Sequence, residues 1–404
     1  MNSTREVHEV PHTTFLIDGF KYQNDKTKSY FLSHFHSDHY TGLNNKFNKG
    51  NIYCTEITYR LATSYLGVSP NVFRILKPGA PINVEGVTVH TIDANHCPGA
   101  VQFIFQLKNG KNYLHSGDLR FNNKMKTFPI LQQIKGQVDS MYIDTTYANE
   151  KHTFAPQETA IDQIIQDIEN AIKTDGKDNI KVFISAYNIG KERVLLKIAK
   201  TFECKIHVDE RKYNVLLPCI ITNRDELEQY FTTDASSTFI CCVKMGWCGE
   251  LWPYFRPNYD NMSKFIQDEE ESNDNTRSSS SSRSSSNNNY VKKILGFIPS
   301  GWADGSNYNK KNATQTKFVN GVQCIVKIIP YSEHSNYNEI LEYIKFVKPT
   351  KIIPTVYKDA NDRRRIEKLF RNVTNRTDAK RKFINAFFHG SGSSRSKVKR
   401  VCTT

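Results

Sequence analysis

Three histidines and an aspartate stand within the short segment HFHSDH, at positions 34–39. The preceding run KSYFL is typical of a strand, so the segment begins where a strand ends. Side chains alternate along an extended chain, and His34 and His36 are therefore expected on one side, where both can bind one metal ion. A turn after His36 directs Asp38 and His39 towards a second ion. Imidazole and carboxylate ligands together favour zinc or a similar divalent cation.

Two more candidate ligands stand at the ends of strand-like runs further along the chain. His96 follows TIDAN and precedes Cys-Pro-Gly, and Asp118 follows NYLHSG. Each would be an ordinary loop residue by itself. Beside the histidine-rich segment, both are predicted metal ligands, and Asp118 is placed to bridge two ions. His115 precedes the same turn and is interpreted as structural.

The pattern of apolar residues predicts an α/β protein. The first part of the chain is strand-rich, with predicted strands at 87–94, 100–107, 112–118 and 140–146. Isoleucines recur at three- and four-residue steps after Pro156, which predicts an amphipathic helix with Pro156 in its first turn. Beyond it, strands at 180–187 and 351–356 alternate with helices after NIGKE, at 338–347 and at 363–373.

The composition fits a folded protein without a membrane span. The chain has 404 residues, of which 38% are hydrophobic and 24% are charged, and this length predicts about two or three domains. No apolar run approaches the ~18 residues that a membrane span needs. The N-terminal MNSTREVHEV lacks the apolar stretch of a secretory signal. The nine cysteines are odd in number and irregularly spaced, so we expect reduced thiols in an intracellular protein.

Positive charge is concentrated at the C-terminal end. The net charge is +14, and residues 351–404 carry 15 Lys and Arg against four Asp and Glu. Such a surplus favours a polyanionic partner, for which nucleic acid is preferred, although a solvated tail would have the same composition. The basic clusters at 363–365 and 380–382 are interpreted as a nuclear import signal or a phosphate-contacting face, with the solvated face of a helix as the alternative.

Two segments are predicted to be disordered. Residues 272–289 read SNDNTRSSSSSRSSSNNN and contain no aliphatic or aromatic side chain, so they cannot bury enough apolar surface to fold. The segment is therefore expected to be a loop inserted in a folded region. Residues 390–404 form a basic tail rich in Ser and Gly, for which disorder is also expected.

The ordered motifs resemble those of a known family. HFHSDHYTGL, DANHCPGA and HSGDLR are similar to the metal-binding motifs of the metallo-β-lactamase fold, and YIDTTY, SAYNIGKE, GFIPSGW, IPYSEHSNY and KIIPTV resemble the β-CASP nucleases of DNA interstrand cross-link repair. The resemblance implies an αββα sandwich interrupted by a β-CASP α/β domain. It assigns 1–151 and 303–389 to the sandwich, 152–302 to the β-CASP domain and 390–404 to the tail.

The same resemblance implies the ligand sets. One metal would be held by His34, His36, His96 and Asp118, and the other by Asp38, His39, Asp118 and His334. Asp144 matches an acidic position near the metals, either as a ligand contact or as an acceptor that orients a histidine. Val356 occupies a position where DNA-directed members tend to have valine. The family often has Asn next, where this chain has Tyr357.

This chemistry predicts hydrolysis of a phosphodiester. A pair of divalent ions activates water for in-line attack and neutralises the charge that develops in the transition state. The proton acceptor is Asp38 or Asp144, and the residues alone do not choose between them. One or two zinc ions are the expected cofactor, with magnesium or manganese as the alternatives in the second site.

Phosphate-binding candidates lie outside the metal motifs. Lys191, in NIGKE, stands where backbone N–H groups at a helix N-terminus attract phosphate, although an ordinary glycine turn explains the same residues. Tyr331, Ser332 and Ser335 carry hydroxyls beside His334. The family resemblance suggests a 5′-phosphate pocket there. Aromatic residues such as Trp302 and Tyr147 are able to stack on bases or to pack in the core.

The leading functional hypothesis is a metal-dependent 5′→3′ DNA exonuclease of interstrand cross-link repair. Its expected partner is single-stranded or cross-linked DNA with a 5′-phosphate, its location the nucleus and its state a monomer without membrane contact. The alternatives are a hairpin-opening endonuclease, an RNA-processing β-CASP nuclease, a small-molecule hydrolase of the β-lactamase type and a non-catalytic DNA-binding scaffold.

Overall fold

The computed structural model describes residues 4–251, 254–277, 291–304 and 313–374. The predicted basic tail, the cluster at 380–382 and most of the Ser- and Asn-rich segment lie outside these ranges. None of the described helices is long and apolar enough to cross a membrane.

The strands are, in chain order, β1 Leu16–Ile17, β2 Ser29–Phe31, β3 Asn51–Thr55, β4 Phe73–Leu76, β5 Ile82–Val84, β6 Val87–Asp93, β7 Val101–Gln106, β8 Asn112–His115, β9 Ser140–Ile143, β10 Ile180–Ala186, β11 Ile206–His207, β12 Phe231–Thr232, β13 Ile240–Lys244, β14 Gly249–Glu250, β15 Arg256–Pro257, β16 Lys293–Pro299, β17 Thr314–Val319, β18 Val322–Ile329 and β19 Lys351–Pro354. The α-helices are α1 Ser37–Tyr40, α2 Glu56–Leu66, α3 Pro129–Gln133, α4 Gln157–Asp175, α5 Glu192–Phe202, α6 Leu217–Ile220, α7 Arg224–Tyr230, α8 Tyr259–Arg277, α9 Tyr337–Val347 and α10 Ala360–Phe370.

Two sheets pack face to face around the histidine-rich segment. The first has the order β1-β2-β3-β4 and is parallel, and the second has the order β19-β9-β8-β7-β6-β5 and is mixed. Between them, the ring of Phe31 lies 5.4 Å from that of Phe103 and 5.1 Å from that of Phe105, centroid to centroid. Helix α2 covers β3 and β4, and α10 covers β19. The predicted αββα sandwich is confirmed.

A second unit is built on a seven-stranded sheet of order β12-β11-β13-β10-β16-β18-β17, parallel except for the β17–β18 pair. Its central strand β10 is buried along its whole length. Helix α4 packs on this sheet through the predicted isoleucine stripe, in which Ile161, Ile164 and Ile168 are 3%, 0% and 0% exposed. The predicted helix after Pro156 and the predicted strand at 180–187 are therefore confirmed.

The boundary expected at residue 302 needs a correction. Strands β17 and β18, which the sequence assigned to the sandwich, belong to the seven-stranded sheet, because Gln323–Ile329 of β18 pair in parallel with Lys293–Pro299 of β16. We therefore propose that the inserted unit extends to Ile329. Helix α8 also runs six residues into the Ser- and Asn-rich segment, as far as Arg277.

Gly117 joins the two sheets at the loop that carries Asp118. Its backbone has a φ of +54°, and a Cβ there would lie 2.9 Å from Ser33 Cβ and 3.1 Å from the carbonyl oxygen of Val101. Ser33 directly precedes the predicted ligand His34. Any side chain at position 117 would therefore push apart the loops that bring His34 and Asp118 together.

Substitution of Gly117 by alanine should lower the free energy of unfolding more than the same substitution at a glycine without close neighbours. Gly110 has a φ of +82° with nothing within 4 Å of its Cβ position. Gly110→Ala should therefore lower the free energy of unfolding by about 1–2 kcal/mol, the penalty of a left-handed backbone at alanine. In Gly117→Ala, the steric conflict should lower the free energy of unfolding by about a further 1–3 kcal/mol. Denaturant unfolding of both variants measures the difference, and equal losses would contradict this account of Gly117.

Candidate metal centre

The predicted ligands come from loops that meet at one edge of the sandwich. Strands β6, β8 and β9 run in the same direction, since β6 and β8 are each antiparallel to β7 and β9 is parallel to β8. The side chains that follow these strands are His96, Asp118 and Asp144. His34 and His36 follow β2 of the other sheet, and His334 follows β18.

The imidazole rings of His34, His36 and His96 lie close together. The Nε2 atom of His34 lies 3.0 Å from Nδ1 of His36, and that atom lies 3.0 Å from Nε2 of His96. Burial, followed by the neighbouring imidazoles, holds the pKa of His34 and of His96 well below the usual value. The rings are therefore neutral near pH 7 and present lone pairs to a common point.

The Asp118 carboxylate stands between these rings and a second group. Its Oδ2 atom is 3.6 Å from His34 Nε2, 3.7 Å from His96 Nε2 and 3.2 Å from His39 Nε2. Burial would raise the pKa of Asp118, but His39, His334 and His34 outweigh it and hold the pKa well below the usual value. The carboxylate is therefore charged and lies between His39 and the group of His34 and His96, while its role as a bridge between two ions stays a prediction.

A buried aspartate that the sequence did not single out positions His39. Asp18 Oδ2 lies 2.8 Å from His39 Nδ1, while the Asp18 carboxylate also accepts hydrogen bonds from the Ser33 backbone N–H at 2.8 Å and the Ser33 hydroxyl at 2.6 Å. His39 therefore presents its Nε2 atom to Asp118. The only local signal for Asp18 is the Asp-Gly pair after β1, which indicates a turn and not a metal site.

Asp38 is the most open of the predicted ligands. Its side chain is 75% exposed, and its Oδ2 atom lies 3.8 Å from His39 Nε2. It stands on the one-turn helix α1 with His39. The carboxylate faces the cleft over the metal centre, where it can contact an ion, water or substrate.

Asp144 lies behind His334. Its Oδ2 atom is 2.8 Å from His334 Nδ1 and accepts from the Leu119 N–H at 3.0 Å, and its Oδ1 atom accepts from the backbone N–H and hydroxyl of Thr146. The residue is 1% exposed. Of the two roles left open by the sequence, this geometry favours the acceptor that orients a histidine.

The donor set fits a pair of divalent cations. Groups whose ligand atoms lie within 4.8 Å of one another are His34 with His36, His96 and Cys97; His34 with His39 and Asp118; and His96 with Asp118 and His334. Imidazole-rich sets with one carboxylate are typical of zinc. Cys97 was not predicted as a ligand, and burial raises the pKa of its thiol well above the usual value.

The loop that carries Lys191 differs from the predicted phosphate site. The backbone N–H of Gly190 donates to Glu192 at 2.8 Å, and that of Lys191 donates to Glu333 at 2.9 Å. Carboxylates thus occupy the amides that were expected to bind phosphate. The Lys191 side chain remains on the cleft wall, with its ammonium 4.7 Å from the ring centre of Tyr187.

A buried ion pair holds this loop from behind. The ammonium of Lys212 donates to the carbonyls of Tyr187 at 3.2 Å and Asn188 at 2.9 Å, and to Glu192 at 3.2 Å. Lys212 and Glu192 are 5% and 3% exposed. Glu192 in turn fixes the Gly190 N–H. These contacts set the path of the chain from Tyr187 to Lys191.

Comparisons with known proteins agree with this architecture. A family described as DNA repair metallo-beta-lactamase matches residues 225–360. The chain is 30% identical over 368 residues to the DNA cross-link repair protein SNM1 of Arabidopsis thaliana, covering 90% of this chain and 68% of that protein. The chain belongs to the metallo-β-lactamase/β-CASP family of DNA cross-link repair proteins.

Other relatives in this family are larger than the chain. DNA ligase 6 of Arabidopsis thaliana is 33% identical over 395 residues, which cover 95% of this chain but 26% of that protein. The 5′ exonuclease Apollo of Danio rerio is 26% identical over 355 residues, which cover 86% of this chain and 52% of that protein.

The hydroxyls of Tyr331, Ser332 and Ser335 were expected in a β-CASP phosphate pocket, but the two serine hydroxyls bond to the protein backbone. The Ser335 hydroxyl donates to the Leu119 carbonyl at 2.7 Å and accepts from the Phe121 N–H at 2.8 Å, and the residue is 2% exposed. It ties two loops together, and these backbone contacts disagree with the predicted phosphate contact. Ser332 donates to the carbonyl of His334 within its own loop. Tyr331 is 2% exposed and lines the cleft as part of the β-CASP core.

The departure of this chain from the family at Tyr357 does not reach the metal centre. Val356 lines the cleft, and its carbonyl accepts from the Thr145 hydroxyl at 2.6 Å. Tyr357 is 6% exposed and its hydroxyl lies 3.0 Å from that of Thr4. The tyrosine therefore packs inside the sandwich.

The arginine cluster at 363–365 is engaged in local pairs. Arg363 contacts Glu6 at 2.9 Å and Glu367 at 3.0 Å, and Arg365 contacts Asp362 at 2.9 Å. Arg364 donates to the Ala360 carbonyl and Asn361. These contacts favour the alternative of a solvated, paired helix face over a dedicated phosphate surface.

The metal centre lies at the base of a cleft of about 800 Å³ between the two units. The lysines that line it are Lys21, Lys191 and Lys244. Lys244 was not singled out from the sequence. It is the last residue of β13 and pairs with Ala186 at the end of β10, so it stands beside the loop that carries Lys191.

Replacing Asp18 by asparagine should weaken metal binding at the His39 side of the centre. The amide cannot accept from both Ser33 and an N–H of His39 with the strength of a carboxylate, so the ring loses its orientation. Loss of such a supporting group costs roughly 10- to 100-fold in metal affinity. Zinc titration measures this, with Asp25→Asn as the control because Asp25 is an exposed partner of Lys49. Unchanged zinc affinity in Asp18→Asn would contradict the assignment.

Proposed function

We propose that the chain is a metal-dependent 5′→3′ DNA exonuclease that acts in the repair of interstrand cross-links. The observation that carries the proposal is the convergence of several imidazoles and the Asp118 carboxylate beside an open cleft that lysines line. Membership of the family agrees with it, and the name of the Danio rerio relative includes a 5′ exonuclease activity.

His34, His36 and His96 would hold one divalent ion, with His39, Asp38 and His334 around the other and Asp118 shared. When bound, such ions supply Lewis acidity towards a phosphodiester and a reactive water at neutral pH. Zinc suits the imidazole-rich side, and the more open Asp38 side suits zinc, magnesium or manganese.

The protein residues supply orientation and proton transfer. Asp38 has an exposed carboxylate over the centre and is the better placed of the two candidate proton acceptors. Asp144 already accepts from His334, Leu119 and Thr146. It acts as a positioning residue, because a carboxylate with both oxygens engaged and no solvent contact cannot take a proton from the cleft.

For the polarity of cleavage, we propose that the lysines of the cleft wall receive the 5′-phosphate. Lys191 and Lys244 stand at the β-CASP side of the cleft, and a terminal phosphate there would hold the 5′ end so that the next phosphodiester reaches the metals. Val356 favours DNA over RNA on the family pattern. A nuclear location and a monomeric state agree with this role.

Digestion of labelled DNA tests the proposed activity. The zinc-loaded protein should release mononucleotides from the 5′ end of 5′-phosphorylated single strands, and Asp38→Ala should lower the rate roughly 100-fold or more, as loss of a general base does. Circular dichroism checks that the variant is folded. Internal cleavage of hairpins or of RNA at higher rates than end digestion would support the alternative nucleases instead.

Substitution of Lys212 by methionine should weaken binding of the 5′-phosphate. Without its ammonium, the Tyr187–Lys191 loop shifts, and misplacement of a substrate-positioning group costs up to about 100-fold in kcat/KM. The preference for 5′-phosphate over 5′-hydroxyl ends should fall with it.

Lys181→Met is the matched control for this variant. Lys181 is a buried lysine on strand β10, 6% exposed, whose ammonium donates to the carbonyls of Ala235 and Thr238 outside the cleft. Both variants lose a buried ammonium, but Lys212→Met also leaves the buried Glu192 carboxylate without its partner and should lose more stability, so the end preference is compared on folded protein. If Lys181→Met lowers the end preference as much as Lys212→Met, the positioning role of Lys212 is wrong.

A further inference from the structure

Two large aromatic side chains are exposed inside the cleft. The exposed large hydrophobic residues among those described are Ile75, Tyr187, Tyr254, Trp302 and Phe318. Of these, Tyr187 and Trp302 line the cleft over the metal centre, with 57% and 46% of their surface exposed. Core packing, the alternative raised by the sequence for Trp302, does not explain such exposure.

The two rings belong to neighbouring strand ends. Strands β10 and β16 pair in parallel with Ile184 opposite Phe297. Continuing that register places Tyr187, just after β10, opposite Ser300, two positions before Trp302. Adjacent strands lie about 4.8 Å apart, so both aromatic residues leave the same edge of the sheet side by side.

Trp302 packs against Tyr147 on one side. Its ring lies 5.0 Å from that of Tyr147, at an interplanar angle of 62°, and Tyr147 lies 6.0 Å from the His334 ring. A Cβ at Gly301 would meet the Tyr147 hydroxyl at 2.7 Å, so the absence of a side chain there permits this close approach. The indole is thus supported by Tyr147, which itself contacts a predicted metal ligand.

Tyr187 is also fixed relative to the metal centre. The Lys191 ammonium lies against its ring, 4.7 Å from the centroid, and Lys212 holds its carbonyl. Two residues on, the carbonyl of Ile189 lies 3.3 Å from Nε2 of His36. A positive charge beside the ring and an anchored backbone keep the aromatic face in place while most of it stays open.

We propose that Tyr187 and Trp302 form a stacking site for a nucleobase next to the scissile phosphodiester. The inference rests on the proposed nuclease function and adds to it the form of the substrate. A base that stacks on these rings must have left the duplex, so the site takes a single-stranded end. Stacking uses the face that every base has, and the site therefore accepts all four bases.

The test uses 5′-phosphorylated single strands with 2-aminopurine at the first, second or third nucleotide and phosphorothioate linkages that slow cleavage. Stacking on an aromatic ring quenches the fluorescence of 2-aminopurine. With the zinc-loaded protein, quenching is expected at one of these positions. Trp302→Ala and Tyr187→Ala should abolish that quenching and raise the Kd roughly 10-fold, within the range for loss of a base–aromatic stack.

Two variants serve as controls. Trp302→Phe keeps an aromatic face and should retain most of the quenching. Phe318→Ala removes an even more exposed aromatic residue, 68% exposed, on strand β17 outside the cleft lining, and should leave binding and quenching unchanged.

Abasic substitution links the site to the base itself. Removing the base at the quenched position should weaken wild-type binding by a similar factor, and Trp302→Ala should then cause little further loss. If the alanine variants lose equal affinity for intact and abasic strands, or if bound DNA shows no quenching, the stacking site is wrong.

The outcomes separate this inference from the proposed activity. Binding with quenching but no phosphodiester cleavage under any metal would overturn the exonuclease proposal and leave the stacking site supported. Cleavage that is insensitive to both aromatic residues and to base removal would overturn the stacking site alone.

Discussion

The structure depends on bringing several imidazoles and a carboxylate together in a buried place without unbalanced charge. Buried ionisable groups at such short separations are stable only when their charges and hydrogen bonds are matched. Asp118 meets this requirement as a charged group surrounded by His34, His39 and His96 at 3.2–3.7 Å. The geometry leaves converging lone pairs and one shared anion, which is the environment a divalent cation needs.

Two of the predicted metal ligands are each oriented by a buried carboxylate behind them. Asp18 orients His39, and Asp144 orients His334. The support crosses between the two units: the Glu333 carbonyl lies 2.7 Å from Nδ1 of His96, while its carboxylate accepts from the Lys191 N–H. Burial raises the pKa of Glu333 to about 7. The β-CASP unit is thereby connected directly to the ligand cluster of the sandwich.

The spacing of residues along the sequence predicted the features that depend only on local secondary structure. HFHSDH placed His34 and His36 on one side because a strand alternates, and the isoleucine period after Pro156 identified α4. Asp18 and Lys212 were missed, because tertiary packing alone brings them to His39 and to the Tyr187 loop. Ser335 was assigned to phosphate because the sequence does not show that its hydroxyl is taken by the Leu119 and Phe121 backbone. The pairing of β17 and β18 with the seven-stranded sheet was not anticipated by the boundary at 302, since strand pairing across the insert has no local signal.

Anomalous X-ray scattering from crystals grown with zinc tests the central claim most directly. Data collected on both sides of the zinc absorption edge locate the bound ions without reference to activity. The account predicts two peaks in the cleft, one among His34, His36 and His96 and one beside His39, with Asp118 between them. No peak at these side chains, or zinc bound only at other surface histidines, would contradict it.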